Sequence, residues 1–200
     1  FFATSKNFVM KIEFLKYKGF GNDFIIVDAH TAQNSVILER KDVPAFSQFL
    51  CDCHFGIGAD GVLFLTYDRS QNPSMTVYNS DGSKPEMCGN GLRCIAQYLK
   101  DRGISNSSKT KIITSAGIKE IEYDSNDSIT ISMGRIHFNS HLIPINALHH
   151  AIPEFIKQNI EIDGTKILVS EANIGNPHLL VHSDNVRHLA EKLQKHEFFP

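Results

Sequence analysis

Cys88 stands where a thiol can be put to chemical use. It closes the run "NSDGSKPEMC", Asn79 to Cys88, and "GNGLRC" follows directly. Leu92, Ile95, Ala96 and Leu99 then recur at i, i+3, i+4 and i+7, which predicts a helix from Gly89 to Lys100. The unpaired N–H groups at a helix start carry partial positive charge. That field favours a thiolate over a thiol. The same N–H groups, unobstructed by side chains at Gly89 and Gly91, can cradle a carboxylate.

Several chemistries compete for such a cysteine. A hydrolytic nucleophile needs a His and usually an Asn or Asp that orients it. The chain has 10 histidines, but no nucleophile elbow or papain-like sequence surrounds Cys88. A phosphate loop would end in Lys-Ser/Thr, which "GNGLRC" lacks. No His or Cys partners stand at metal-site spacing. Two readings stay open: a thiolate base beside an anion cradle, suited to removing a proton next to a carboxylate, and a small core or capping side chain. Cys94 lies on the helix stripe and reads as core.

The elements that must position Cys88 can be read from periodicity and punctuation. "KIEFLKYK" alternates and predicts a strand, "GFGND" a tight turn, and "FIIVDAH" a more buried strand. "VPAFSQFLCDC" carries a helical stripe at Val43, Phe46, Phe49 and Leu50. "VLFLTY" and "MTVYNS" read as strands, as do "KIITS", "IKEIEY" and "SITISM", which turn residues join into antiparallel hairpins. A proline-spaced stretch then runs through Pro153, followed by strands in "TKILVSEANIG" and "HLLVHS" and a helix in "NVRHLAEKLQKH". The texture changes near Met133 to Arg135. The domains expected are therefore 10–133, which holds Cys88, and 134–200. Residues 1–9 precede Met10 and read as a leader or cloning remnant. The second part is too short for a good core by itself, so the sequence reads as truncated.

Bulk properties narrow the partners. The 200 residues carry a net charge of −2 and a hydrophobic share of 42%. No basic surface points to nucleic acid or an anionic membrane. No apolar run approaches the roughly 18–20 residues of a membrane span. Four cysteines, at 51, 53, 88 and 94, do not form the framework of a small secreted domain. They read as reduced thiols of a cytoplasmic protein, with Cys51-x-Cys53 as helix-packing residues rather than a metal or redox pair.

"YNSDGSKPEMCGNGLRC" resembles the signature of the diaminopimelate epimerase family. "KYKGFGNDFIIVD" resembles that family's first strand-turn-strand, and "SEANIGNPHLLV" its Gly-Asn-Pro-His segment. The three motifs come in family order, and the resemblance spans about Met10 to Pro200. It implies an α/β (α+β) fold of two pseudo-repeated domains, each a mixed β-sheet wrapped around a central helix, with the second truncated here. The activity implied is cofactor-independent and metal-free epimerisation of LL-diaminopimelate to the meso form, on the way to lysine and peptidoglycan. Two cysteines on opposite sides of the α-carbon act as base and acid.

The resemblance makes Cys88 the catalytic cysteine of the first domain. Gly89 and Asn90 match its carboxylate-binding backbone, and Asn22, Asn79 and Asn176 match its substrate-binding asparagines. An amide can donate to carboxylate and accept from ammonium, which suits a zwitterion with two amino-acid ends. His178 matches a histidine near the family's site, in a positioning or proton-transfer role. Asp81-Gly82 is a turn. Some family members carry Gln where Gly61 stands, so no substrate contact is assigned there. No cysteine follows Cys94, so the family's second cysteine has no counterpart, and neither has its later Glu-Arg pair. This polypeptide is therefore expected to be inactive by itself. The resemblance also leaves open a homodimer, a related proline racemase-like or phenazine-type isomerase, and a noncatalytic fragment.

Overall fold

The computed structural model describes residues 11–31, 37, 40–105, 107–126, 128–138, 156–162, 164–183, 186, 189 and 193. The chain divides into two compact units, Phe1–Ser132 and Met133–Pro200. Residues 1–9 and most of the proline-spaced stretch lie outside the described residues.

The first unit begins with a hairpin, β1 (Leu15–Gly19) and β2 (Asn22–Asp28). Phe20 and Gly21 turn it with φ of 50° and 95°. Positive φ at both central residues gives a turn whose twist matches the paired strands. The alternation from Lys11 predicts a longer first strand, but pairing starts only at Leu15.

β3 (Gly61–Tyr67) lies parallel to β2, with Phe24 opposite Gly61. Parallel strands are covered on both faces and read as continuous apolar runs. Phe24 to Val27 and Val62 to Leu65 are accordingly all buried. The crossover carries α1 (Val43–Cys51), started by a proline in its first turn. It covers one face, packing Phe46, Leu50 and Cys51 against Ile25, Val27, Val62 and Phe64. Cys51 is thus a core residue, whereas Cys53 lies past the helix end and is exposed.

β4 (Pro73–Asn79) pairs antiparallel with β3 and parallel with β5 (Lys109–Thr114). Between them runs α2 (Gly89–Asp101), the helix that the apolar spacing predicts, one residue longer. β6 (Gly117–Tyr123) and β7 (Ile129–Ser132) complete an antiparallel meander. The seven strands form one mixed sheet in chain order. Strands from both ends of it, β1 and β7, pack on α2, so the sheet wraps the helix. Leu92, Cys94, Ile95, Ala96, Tyr98 and Leu99 are buried on the helix. Three tyrosine hydroxyls fasten it to the wall. Tyr17 donates to Asp101 at 2.7 Å, Tyr98 to Asp28 at 2.8 Å, and Tyr123 to the Ala96 carbonyl at 2.9 Å.

The second unit has an antiparallel sheet ordered β10-β9-β8, from β8 (Gln158–Ile162), β9 (Thr165–Asn173) and β10 (Pro177–Val181). β8 is an addition to the sequence reading. Its isoleucines at 160 and 162 do alternate, but the strand is short and otherwise polar. Ile160, Ile167 and Val169 share a cluster with Leu193. Of the helix expected over "NVRHLAEKLQKH", only Val186, Leu189 and Leu193 are described, each in helical conformation. The rest lies outside the described residues. No helix among the described residues is long and apolar enough to cross a membrane.

Candidate functional site

The first unit gathers its notable polar residues at one end of the sheet. The start of β2, the start of β3, the end of β4 and the N-terminus of α2 meet there. The strand registers bring the three strand ends together, with Gly61 facing Asn79 on one side and Phe24 on the other, and the Asn90–Asn22 hydrogen bond ties the helix start to them.

Cys88 is the N-cap of α2, in extended conformation with φ −138° and ψ 109°. Its Sγ accepts from the Gly91 N–H at 3.4 Å, and its carbonyl accepts from the Leu92 N–H at 2.9 Å. The N–H groups of Gly89 and Asn90 have no intrahelical acceptor. The first turn contains no acidic residue to neutralise its positive end. Arg93 adds a cation near it, donating to the Gly89 carbonyl at 3.3 Å and stacking on the Phe20 ring at 5.0 Å. Two tight approaches shape this turn. A Cβ on Gly91 would come within 2.9 Å of the Leu63 side chain, and one on Gly19 within 3.2 Å of the Asn90 carbonyl and of the Cys94 Sγ.

Cys88 is half-buried, whereas Cys94 is 2% exposed. Burial pushes the Cys94 thiol up to about 11, and that of Cys51 likewise. Among the described residues no group of His, Cys, Asp and Glu has the arrangement of a metal site.

Asn22 ends the first hairpin turn. Its Oδ1 accepts from Asn90 Nδ2 at 2.9 Å, across 68 residues of sequence. Its Nδ2 donates to Asp60 Oδ2 at 3.1 Å. Asp60 is a residue that the sequence reading passed over within "GIGADG". Its Oδ2 also accepts from the Asp23 N–H at 2.9 Å, and its carbonyl from the Ser80 N–H at 3.0 Å. Asn79 is the residue before Ser80, so Asp60 ties three of these loops together.

Asn79 Nδ2 donates to Ser83 Oγ at 2.9 Å, and the Asn79 and Ser83 backbones bond at the same distance. Asp81 caps this turn through Ser83, and Gly82 supplies its positive φ of 80°. Gln48 of α1 braces it by donating to the Asp81 carbonyl, another contact that no local pattern announces. At Gly61 a Cβ would meet the Tyr78 carbonyl at 2.8 Å, so a side chain there would shift β3 against β4.

Asn176 and His178 belong to the second unit. Asn176 sits in the β9–β10 connection, beside Gly175 with φ 110°, and His178 is exposed on β10 opposite Ala172. The same motif holds Glu171, fully buried on β9 with neither carboxylate oxygen hydrogen-bonded. Desolvation pushes its carboxyl up to about 7.

A mixed sheet wrapped on a helix, with a smaller second sheet, is a fold shared with amino-acid epimerases and phenazine-biosynthesis proteins. It matches a hydroxyproline epimerase from Agrobacterium vitis at TM-score 0.62 and 13% identity, covering 92% of this chain and 54% of that one. A phenazine biosynthesis protein of the PhzF family from Bacillus anthracis matches at TM-score 0.52 and 19% identity, covering 85% and 55%. Sequence narrows the class. Residues 14–139 match the family model for diaminopimelate epimerase. The diaminopimelate epimerase of Leptospira biflexa is 34% identical over 96% of this chain and 69% of its own length. Diaminopimelate epimerase 1 of a Nostoc species is 38% identical over the same shares, and the enzyme of Methanocella arvoryzae 40% identical over 88% and 60%. The chain belongs to the diaminopimelate epimerase family and spans roughly two thirds of the length of these relatives.

Proposed function

We propose that this chain carries one half of a cofactor-independent, two-thiol epimerase site that inverts an α-carbon of diaminopimelate between the LL and meso forms. The observation that supports it most is Cys88 as the half-buried N-cap of α2, beside the free N–H groups of Gly89 and Asn90. An α-proton is weakly acidic, and with no cofactor to spread the carbanion charge, fixed dipoles must stabilise it. The helix start holds the α-carboxylate, and Cys88, as thiolate, takes the proton from one face. A second thiol returns a proton to the other face; from the opposite stereoisomer the roles exchange. Asn22, Asn79 and Asn176 bind the polar ends of the substrate, and His178 supports the site.

Cys51 and Cys94 are buried, and no cysteine follows Cys94. Cys53 is exposed past the end of α1 rather than at a helix start, and our reading assigns this polypeptide the first thiol only. The test is epimerisation in deuterium oxide by the enzyme carrying this chain, with LL-diaminopimelate and L-proline offered in parallel. Inversion with solvent deuterium at the α-carbon of diaminopimelate, abolished by Cys88→Ala, supports the reading. Turnover of proline alone would assign the site to a racemase of another substrate class.

A further inference from the structure

We propose that Asp60 is a positioning residue that sets the polarity of the Asn22–Asn90 amide pair, and so the donor and acceptor pattern offered to an amino-acid ligand beside Cys88. This rests on the proposed function for the ligand's identity, though not for the polarity itself.

An ionised carboxylate is acceptor-only, whereas an amide has a donor end and an acceptor end that a flip exchanges. Asp60 Oδ2 faces Asn22 at 3.1 Å, so Asn22 must turn its NH2 towards Asp60. Its Oδ1 is then directed at Asn90, which must offer its own NH2, at 2.9 Å. One charge thus fixes two amides in series, and a hydrogen bond to a charged acceptor is stronger than one between neutral groups. Asn90 is left with its Oδ1 as an acceptor next to the helix-start N–H groups. A zwitterion needs such an alternation: donors for its carboxylate and acceptors for its ammonium. Without the charge, only a neutral oxygen shared with the Asp23 N–H holds this order, and the hold on both amides weakens.

The carboxylate also accepts from the Asp23 N–H at 2.9 Å, a bond that an asparagine oxygen can keep, and the loop is held by the Asp60 backbone as well. The Asp60 N–H donates to the Asp23 carbonyl at 2.9 Å, and the Asp60 carbonyl accepts from Ser80 at 3.0 Å. Asp60→Asn keeps the shape and these backbone bonds while removing the acceptor-only property. That separates a polarity role from a merely structural one.

The experiment uses the 200-residue chain with ¹⁵N-labelled asparagine, as wild type and as Asp60→Asn, titrated with diaminopimelate. In the variant, the side-chain NH2 groups of Asn22 and Asn90 should exchange with solvent at least about tenfold faster. That of Asn79, held by Ser83, should be unchanged, as should the melting temperature. Diaminopimelate should shift the Asn22 and Asn90 signals of the wild type and bind about tenfold more weakly to the variant. Unaltered Asn22 and Asn90 exchange in Asp60→Asn would overturn the proposal, as would released amides with undiminished affinity. If the wild type ignores diaminopimelate while the variant still releases both amides, Asp60 keeps its assigned role and the substrate assignment fails. If Asp60→Asn unfolds, Asp60→Glu takes its place, and retained exchange protection with the longer carboxylate supports the charge as the cause.

Discussion

Two cysteines on one helix show how much burial decides at the scale of a residue. Cys88 caps the helix and is half-buried, while Cys94 lies underneath with its thiol pushed up to about 11. Only a thiolate alkylates readily. Iodoacetamide at neutral pH should therefore label Cys88 at least about tenfold faster than Cys94, as read by mass spectrometry of peptides over time. Equal, slow labelling of both would make Cys88 a structural cap. Cys88→Ala in the enzyme carrying this chain should lower kcat by about a thousandfold or more, since proton transfer at one face loses its carrier.

At the scale of elements, α2 must be placed to within tenths of an ångström, and glycines set that placement. Gly91 lets the first turn rest on Leu63, where a Cβ would come within 2.9 Å. Alanine is the better helix former by about 1 kcal/mol. Overpacking should outweigh that gain and leave Gly91→Ala less stable by about 1–2 kcal/mol, measured by chemical denaturation. The added methyl would also lie 3.5 Å from the Cys88 Sγ. Activity should consequently fall by more than the stability loss explains. Both outcomes follow from β3 and α2 meeting at the site, which the helical stripe around Leu92 and Ile95 foretells only in part. Periodicity identifies the apolar face of α2, but not the strand that the face meets.

At the scale of the whole molecule, the two units contribute different liabilities. Glu171 is buried without a partner, and its carboxyl titrates near 7 in the folded protein instead of near its usual 4.5. Between those values the folded state holds a proton that the unfolded chain has released. Stability must fall as pH rises across that window, and level off above about 7. Glu171→Gln should flatten this dependence, as thermal melting from pH 4.5 to pH 8 would show. A wild-type profile that rises across the window would contradict the buried neutral carboxyl. The 200-residue polypeptide itself should not interconvert LL- and meso-diaminopimelate if, as proposed, Cys88 is the one thiol of the two-thiol site that it holds. Chiral chromatography after prolonged incubation would detect any such activity.

Local order along the chain determined most elements and the junction of turn and helix at Cys88. Apolar spacing, glycines and turn residues act over a few positions, and sequence displays them directly. β8 escaped because a five-residue, mostly polar strand has little pattern of its own. The parallel pairing of β2 with β3, and the meeting of Asn22, Asp60 and Asn90 across 38 and 68 residues, were decided only in three dimensions. Hydrogen bonds of that range follow from strand order and register, and these are fixed by burial of the whole sheet around α2. The sequence could therefore name the thiol and the amides, while only the wrapped sheet could show which group holds each amide in orientation.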